Sequence, residues 1–409
     1  TLNGGKNWLR LRGGLPTIQV KDLVIQKREN DLVVGTFGRG IYILDDYSAL
    51  RYQTPEMKAK EAALLPIKPA LAYIQTQGGT GSLGETYYSA PNPAYGAAFT
   101  YMLKEGVKTL KQKRQEAEQA AIGKGEAPPF PTAEELRAEE EEDPAAILLT
   151  VTDLSGNVVR RLTGPASAGT QRVGWDLRGA GFSAPPPPAD PDAPPVTGRG
   201  GGRGGGGGGF QVMPGKYRVS LARRVNGVVT ELVPPQTFTV REEGEFDLKP
   251  ADRKALVEYR QKVSRLQRAV TASTEVIDSL KTRLAQIRSA VQDAPKATPK
   301  LREEALALER RLKEIDFDLR GDSIAALRGD PAPTTIVRRV SDVTFSQLSS
   351  PLPPTKTRQD SYTVAASEFG AVLAKLRTLA QTDLPRLEKA LDRADVAHTP
   401  GRLPEWKEP

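Results

Sequence analysis

Apolar positions follow two different periods along this chain, and the change falls near Pro250. Before it, apolar residues come in short runs with alternation, the signature of strands. Residues 20–25 form one such run, broken by charge. Residues 32–34 and 41–44 predict two strands around a Gly-rich turn, 35–40. Further strands are predicted at 71–74, 97–101, 147–153, 158–162, 169–176, 214–221 and 236–240. Gly156 builds the turn between two of them, and Asn226-Gly227 predicts a hairpin. Within 169–176, Val173 and Trp175 fall on one face.

Beyond Pro250 the period becomes seven. Leu256, Val263, Val270, Ile277, Leu284 and Val291 recur at heptad spacing, with Tyr259, Leu266, Ser273, Leu280 and Ile287 between them. The stripe runs over about 36 residues, roughly 54 Å of helix at 1.5 Å per residue. Residues 293–298 break it, with Pro295 as terminator. Thr298 is placed to cap the next helix and Pro299 suits its first turn. Leu301, Ala305, Leu308, Leu312, Ile315 and Leu319 continue the a/d spacing, which predicts an antiparallel helical hairpin. After a Pro-rich stretch, Phe369, Leu373, Leu376, Leu384, Leu387 and Leu391 mark a third long helix that Pro385 should kink or restart. Two helices bury one seam each, so a third helix or a partner is physically required. Residues 361–396 can supply it, and an exposed stripe docking a partner or second copy is the sharper alternative.

Two low-complexity segments interrupt the strand-forming half. Residues 104–143 are rich in Lys, Gln, Glu and Ala and end in an acidic run, Glu139 to Asp143. They predict a charged, helical or mobile excursion broken by Pro128, Pro129 and Pro131. The acidic run reads as a solvated helix end rather than a cation site. Residues 185–209 hold four consecutive prolines and an Arg-Gly tract with Arg199 and Arg203. Two arginines and one aromatic, Phe210, offer little counterion release or base stacking, so a loop insertion is favoured over nucleic-acid binding.

Composition narrows the chemistry. Net charge is +8, but Lys and Arg are interleaved with Asp and Glu through the helical half, unlike the basic stripe of a nucleic-acid reader. No cysteine is present, which removes thiol nucleophiles, disulfides and thiolate metal sites, and fits an exported or a cytosolic protein equally. The one histidine is His398, so a Ser-His-Asp triad needs that residue, in a polar tail, and multi-histidine zinc sites are excluded within the chain. No apolar stretch approaches the roughly 20 residues that span a bilayer.

The first eight residues, Thr1-Leu2-Asn3-Gly4-Gly5-Lys6-Asn7-Trp8, place a turn glycine and a short polar side chain ahead of a tryptophan. Gly5 supplies a conformation other residues resist, and Asn3 suits a bond to the turn backbone. The run resembles the Asp-box, S-x-D-x-G-x-T-W, of BNR and sortilin-like β-propellers, with Thr1 for Ser, Asn3 for Asp and Asn7 for Thr. The strand pair around Gly35-Thr36-Phe37-Gly38-Arg39-Gly40 also resembles the closing blade of such proteins, many labelled glycosyl hydrolases. Thr1 already sits inside a motif, so the chain is expected to be the C-terminal part of a longer protein. A phosphate loop at 35–40 lacks the Lys-Ser/Thr and the following helix. Asp45 and Asp46 are adjacent, so on a strand they would point to opposite faces and make a poor glycosidase pair. They are expected to end the strand in a polar loop.

A second resemblance covers 153–217. The D-x-x-G-x-V-V-R run from Asp153, the V-x-W-D from Val173, and Pro214-Gly215-x-Tyr217 are similar to the Ig-like domain of flagellar hook-cap proteins. Trp175 is expected to be a core anchor. A helical tail also follows the propeller and Ig-like domain in large bacterial BNR proteins. The expected fold class is therefore multidomain β + α: a last β-propeller blade at 1–52, an Ig-like β-sandwich at 64–246 with insertions at 104–144 and 180–212, a helical hairpin plus third helix at 250–396, and a polar tail at 397–409. The expected function is a non-catalytic, extracytoplasmic binding or assembly region, with localisation taken from the resemblance alone. Expected partners are a protein or a second copy, and the upstream propeller blades of the same polypeptide. The alternatives are an accessory region of a propeller glycosidase or peptidase whose active site lies upstream, and nucleic-acid binding through the Arg-Gly tract. No catalytic, cofactor-binding or metal-ligating residue is nominated.

Overall fold

The computed structural model describes residues 1, 4–8, 10, 14–73, 90, 92–143, 145–183, 208–243, 248–350 and 352–404. The chain combines β-sheets and helices and divides into two compact units, Thr1–Ala180 with Gln211–Phe246, and Gly181–Phe210 with Asp247–Pro409.

The first unit begins with an antiparallel three-stranded sheet of β1 (Val20–Gln26), β2 (Asp31–Thr36) and β3 (Ile41–Leu44). Two short helices, α1 (Ser48–Arg51) and α2 (Pro55–Ala59), lead to strands β4 (Ala62–Leu64), β5 (Ala70–Ala72) and β6 (Ala97–Leu103). The strand expected at 71–74 thus starts one residue earlier, and Ile74 lies outside the described residues. The charged excursion that follows is a pair of helices, α3 (Leu110–Gly123) and α4 (Ala133–Glu141), separated by the Pro-rich 128–131. Thr109 with Gln112, and Thr132 with Glu135, form capping boxes that satisfy the first backbone N–H groups of each. Neither helix buries a residue. Arg114 joins them by a two-pronged bond to Glu139, at 2.6 and 2.9 Å.

The remaining strands are β7 (Ala146–Thr152), β8 (Val158–Gly164), β9 (Gly169–Trp175), β10 (Gly215–Val225) and β11 (Val228–Glu242). They complete a five-stranded sheet in the order β5-β11-β10-β7-β8 and a three-stranded sheet in the order β4-β6-β9. Side chains of both sheets meet in one core. Phe99 of β6 packs edge-on to Phe238 of β11 at 5.3 Å, and Trp175 of β9 packs edge-on to Tyr217 of β10 at 5.8 Å. Phe99, Tyr101, Ile147, Leu149, Val151, Trp175, Val219 and Leu221 have no measurable exposure. The polar tips of the aromatics are satisfied inside this core. Trp175 Nε1 donates to the Arg178 carbonyl at 2.8 Å, Tyr101 Oη to Pro165 and Tyr217 Oη to Met213, each at 2.6 Å. Burial pushes both phenols up to about 12.

Turn chemistry sets the register. Val225 pairs with Val228, and the two residues between them have positive φ, 47° at Asn226 and 73° at Gly227. That is the geometry a right-twisted two-residue hairpin demands. Between β7 and β8, Asp153 N–H donates to the Asn157 carbonyl at 3.0 Å, while Asn157 N–H donates to Asp153 Oδ1 at 2.9 Å. In β11, Pro234 and Pro235 cannot donate to a ladder. The β10–β11 register shifts beside them, and β5 pairs only with 240–242.

The second unit is helical. Its members are α5 (Pro250–Asp293), α6 (Pro299–Arg320), α7 (Ser323–Arg328), α8 (Ile336–Ser349), α9 (Lys356–Thr378), a π-turn (Leu379–Asp383) and α10 (Leu384–Arg393). The heptad stripe Leu256, Val263, Val270, Ile277, Leu284 and Val291 is almost wholly buried. Thr298 Oγ1 accepts from Leu301 N–H at 3.3 Å, starting α6. Ion pairs Arg320–Asp278, Lys281–Asp316 and Arg288–Glu309 advance along one helix as they retreat along the other, so α5 and α6 run antiparallel. Leu301, Ala305, Leu308, Leu312, Ile315 and Leu319 share one core with Phe369, Leu376, Leu384, Leu387 and Leu391. The helical stripes are therefore covered within the unit, and an exposed stripe awaiting a partner is not what 270–319 presents.

The third helix is interrupted just before Pro385: α9 gives way to the π-turn, and α10 starts at Leu384 with Pro385 in its first turn. Leu384 N–H reaches back to the Leu379 carbonyl, an i→i−5 step that widens one turn and makes room for a residue without N–H. Three other features extend or correct the expectations. The Pro-rich stretch before α9 contains α8, capped by Thr335 and burying Ile336, Val340 and Val343. The insertion at 180–212 does not belong wholly with the strands. Phe182 and Phe210 pack edge-on at 5.2 Å in a cluster with Val263 and Val343 of the helical unit. The polar tail is anchored near its start: Thr399 and Arg402 are buried, and Arg402 bonds the Asp392 carboxylate and the Ala397 carbonyl.

Candidate functional site

The β1–β3 sheet leaves apolar residues exposed on both of its faces. Its faces follow from register, because cross-strand partners share a face and neighbours along a strand do not. Leu23 pairs with Val34, which pairs with Tyr42; Ile25 pairs with Leu32, which pairs with Leu44. These six make the first face. Val24 pairs with Val33, which pairs with Ile43, and Ile41 stands opposite Gly35. These make the second face. On the first, Leu23 is 58% and Ile25 50% exposed; on the second, Val24 is 54%, Ile43 58% and Ile41 72% exposed. Val34 alone among them is buried. A sheet with one wet face alternates apolar and polar residues, whereas one covered on both faces reads as continuous apolar runs. Leu-Val-Ile in β1 and Ile-Tyr-Ile-Leu in β3 follow the second pattern.

The ends of this sheet are pinned by polar contacts. In the β1–β2 turn, Glu29 N–H donates to Gln26 Oε1 at 2.6 Å and the Glu29 carboxylate bonds the Lys68 ammonium. That bond to Lys68 holds the Glu29 carboxyl below its ordinary value against the opposing effect of burial. At the β2–β3 tip, Gly38 and Gly40 have φ of 73° and 81°, and Thr36 donates to the Gly40 carbonyl through both its N–H, at 3.1 Å, and its hydroxyl, at 2.6 Å. A strand follows this tip, not a helix, so residues 35–40 do not form the helix-terminal anion cradle of a phosphate loop.

Asp45 and Asp46 lie in the turn after β3. Asp46, at φ 43°, donates its N–H to Asp31 Oδ1 at 2.9 Å, and Arg172 of β9 donates to the carbonyls of Asp45 and Asp46 at 3.3 and 2.9 Å. Burial and the neighbouring Asp31 carboxylate push the Asp45 carboxyl up, partly offset by Arg172. The pair thus ends a strand and ties it to β9.

The other residues singled out from sequence are dispersed. Thr1 Oγ1 accepts from Gly5 N–H at 2.8 Å with Gly4 and Gly5 at positive φ, a turn tip as expected; Trp8 is 79% exposed and Asn3 lies outside the described residues. In the acidic run, Glu139 pairs with Arg114, Glu142 accepts from Leu110 N–H at 2.5 Å, and Asp143 pairs with Arg224. His398 stands 3.8 Å from Asp392. The Arg-Gly tract, with Arg199 and Arg203, lies outside the described residues, and Phe210 beside it is buried under the Arg260 guanidinium. No group of three or more His, Asp or Glu side chains among the described residues is placed to hold a metal ion. No helix among them is long and apolar enough to cross a membrane.

The helical unit contains a cleft of about 560 Å³ that sequence did not indicate. Phe317, Ile336, Ala371 and Val372 give it an apolar lining, and the Asp318–Lys375 pair, at 2.7 Å, stands among its walls. It is assembled from α6, α9, the starts of α7 and α8 and the Pro-rich 331–335, which no single-segment pattern brings together.

No protein-family model matches the chain, and neither the curated proteins nor the solved structures contain a significant match to it.

Proposed function

We propose that the chain is a non-catalytic binding and assembly region of a larger exported protein of the BNR β-propeller type. In this reading the β1–β3 sheet is a terminal propeller blade, the two-sheet core is an Ig-like spacer, and the helical unit is a self-contained tail. The observation that carries it is the two-faced apolar character of β1–β3, since a propeller blade is packed between two others. Exposed Leu23 and Ile25 on one face, and Val24, Ile41 and Ile43 on the other, are the surfaces such neighbours would cover. The polar pinning of Asp45, Asp46 and the acidic run supports a structural role for those carboxylates. Export is taken from the resemblance of residues 1–8 and 35–40 to BNR proteins.

The test is the intact mass and peptide map of the native polypeptide. Peptides that precede Thr1 and carry further strand-forming repeats with Asp-box turns are the expected result. A native mass equal to these 409 residues would overturn the reading.

A further inference from the structure

The outer face of the five-stranded sheet carries a row of cations that no single strand reveals. Val219 of β10, Leu149 of β7, Leu162 of β8 and Val240 of β11 point into the core. The residues beside them on each strand therefore point away from it. Arg161 of β8, Lys216 and Arg218 of β10, and Arg241 of β11 stand on this outer face, and all four are exposed. Register aligns them. Arg161 pairs with Thr150, which pairs with Ser220, two residues along β10 from Arg218. Arg218 pairs with Thr237, and Lys216 with Thr239, two residues before Arg241. Neighbouring strands lie about 4.8 Å apart and alternate residues of one strand about 6.8 Å, so the four form a diagonal row of roughly 25 Å.

Among the described residues none of these four cations forms an ion pair, whereas Arg223 and Arg224 of the same β10 pair with Glu61 and Asp143. Carboxylates flank the row without entering it: Glu231 lies opposite Ala222, beyond Ser220, and Glu243 follows the end of β11. Like charges lined up on one face repel, and a polyanion laid along them relieves that repulsion. The positions between the cations are hydroxyls, Thr150, Thr152, Ser220, Thr237 and Thr239. They offer no aromatic ring on which a base could stack and no large apolar side chain to enter a bilayer. Hydroxyls that both donate and accept match those of a sugar chain.

We propose that this face binds an extended acidic polysaccharide, its carboxylate or sulfate groups meeting Arg161, Arg218, Lys216 and Arg241 and its hydroxyls meeting the threonines and serine between them. The site is independent of how β1–β3 is covered.

Heparin serves as a sulfated probe, polygalacturonate as a carboxylated one, and single-stranded DNA of matched charge as the comparison. Isothermal titration calorimetry of the full chain at low salt is expected to show binding of at least one of the two polysaccharides, tighter than that of the DNA. Lys216→Gln with Arg218→Gln is expected to weaken it roughly tenfold and, with two fewer contacts releasing counterions, to flatten the slope of log K against log salt. Arg161→Gln with Arg241→Gln, at the ends of the row, is expected to do the same and repeats the test should the first pair disturb the sheet, which circular dichroism checks. Arg265→Gln with Arg268→Gln removes the same charge from α5, where both side chains are exposed, and is expected to leave binding unchanged. Binding of neither polysaccharide, tighter binding of the DNA, no loss in the folded sheet variants, or an equal loss in the α5 variant would overturn the proposal.

Discussion

Arg172 on β9 donates from its guanidinium to the main-chain carbonyl of Asp46 at 2.9 Å, 126 positions away in sequence. One side chain thereby closes the end of the β1–β3 sheet onto a strand of the two-sheet core. Arg172→Ala removes this bond and its companion to Asp45. Amide hydrogen exchange of β1–β3 is expected to speed up while β7 and β10 stay protected. Equal loss of protection in all of them would show that Arg172 serves the core and not the sheet.

Trp175 is the centre of that core, with Phe99, Tyr217 and Phe238 around it. Trp175→Phe keeps most of the apolar contact and loses the N–H donated to Arg178, at an expected cost of about 1–3 kcal/mol. Trp175→Ala also opens a cavity and is expected to cost about 3–5 kcal/mol. Denaturant unfolding of the two variants against the parent measures both, and the order of the two costs is the check.

Thr298→Ala removes the side chain that accepts from Leu301 N–H and is expected to destabilise the helical unit by about 1 kcal/mol. Thr298→Ser keeps the acceptor and should be close to neutral. A loss of similar size in both variants, read by thermal unfolding followed at 222 nm, would contradict the capping role.

Acid is expected to loosen the base of the β1–β3 sheet. The Glu29 carboxyl is held below its ordinary value of 4.5 by Lys68, so its stabilising contribution is fully present above that value and is lost as pH falls through the lower folded value. The Glu388 carboxyl in the helical unit behaves oppositely. Burial raises it despite the Arg283 guanidinium, so its contribution is greatest below 4.5 and falls as pH rises through the folded value. Glu29→Gln should flatten the acid limb of a melting-temperature profile, and Glu388→Gln the limb above it. Unchanged profiles in both would disprove these assignments.

How far the fold was legible depends on whether its determinants are local. The heptad of α5, the Thr298 cap and the Asn226-Gly227 hairpin each rest on side chains within a few residues of one another, and each stands where the spacing placed it. Helix α8 did not show because its stripe, Ile336, Val340 and Val343, is short, rich in β-branched residues and hemmed by prolines. The two-faced sheet required a register to see, since Leu23 and Ile43 are remote in sequence and only pairing assigns their faces. The anchoring of Arg402 did not show because its partner, Asp392, lies in the preceding helix and nothing in the intervening residues announces the return.

The π-turn gives the helical unit slack in chain length. Its buried stripe steps by five from Leu379 to Leu384, where neighbouring steps are three or four, as from Leu384 to Leu387 and Leu391. Each residue of an α-helix turns the chain by about 100°. A single-residue deletion at 380–382 restores a step of four and leaves Leu387 and Leu391 facing the core, whereas an insertion there rotates them away from it. Relatives of this chain are accordingly expected to shorten at this position and not to lengthen.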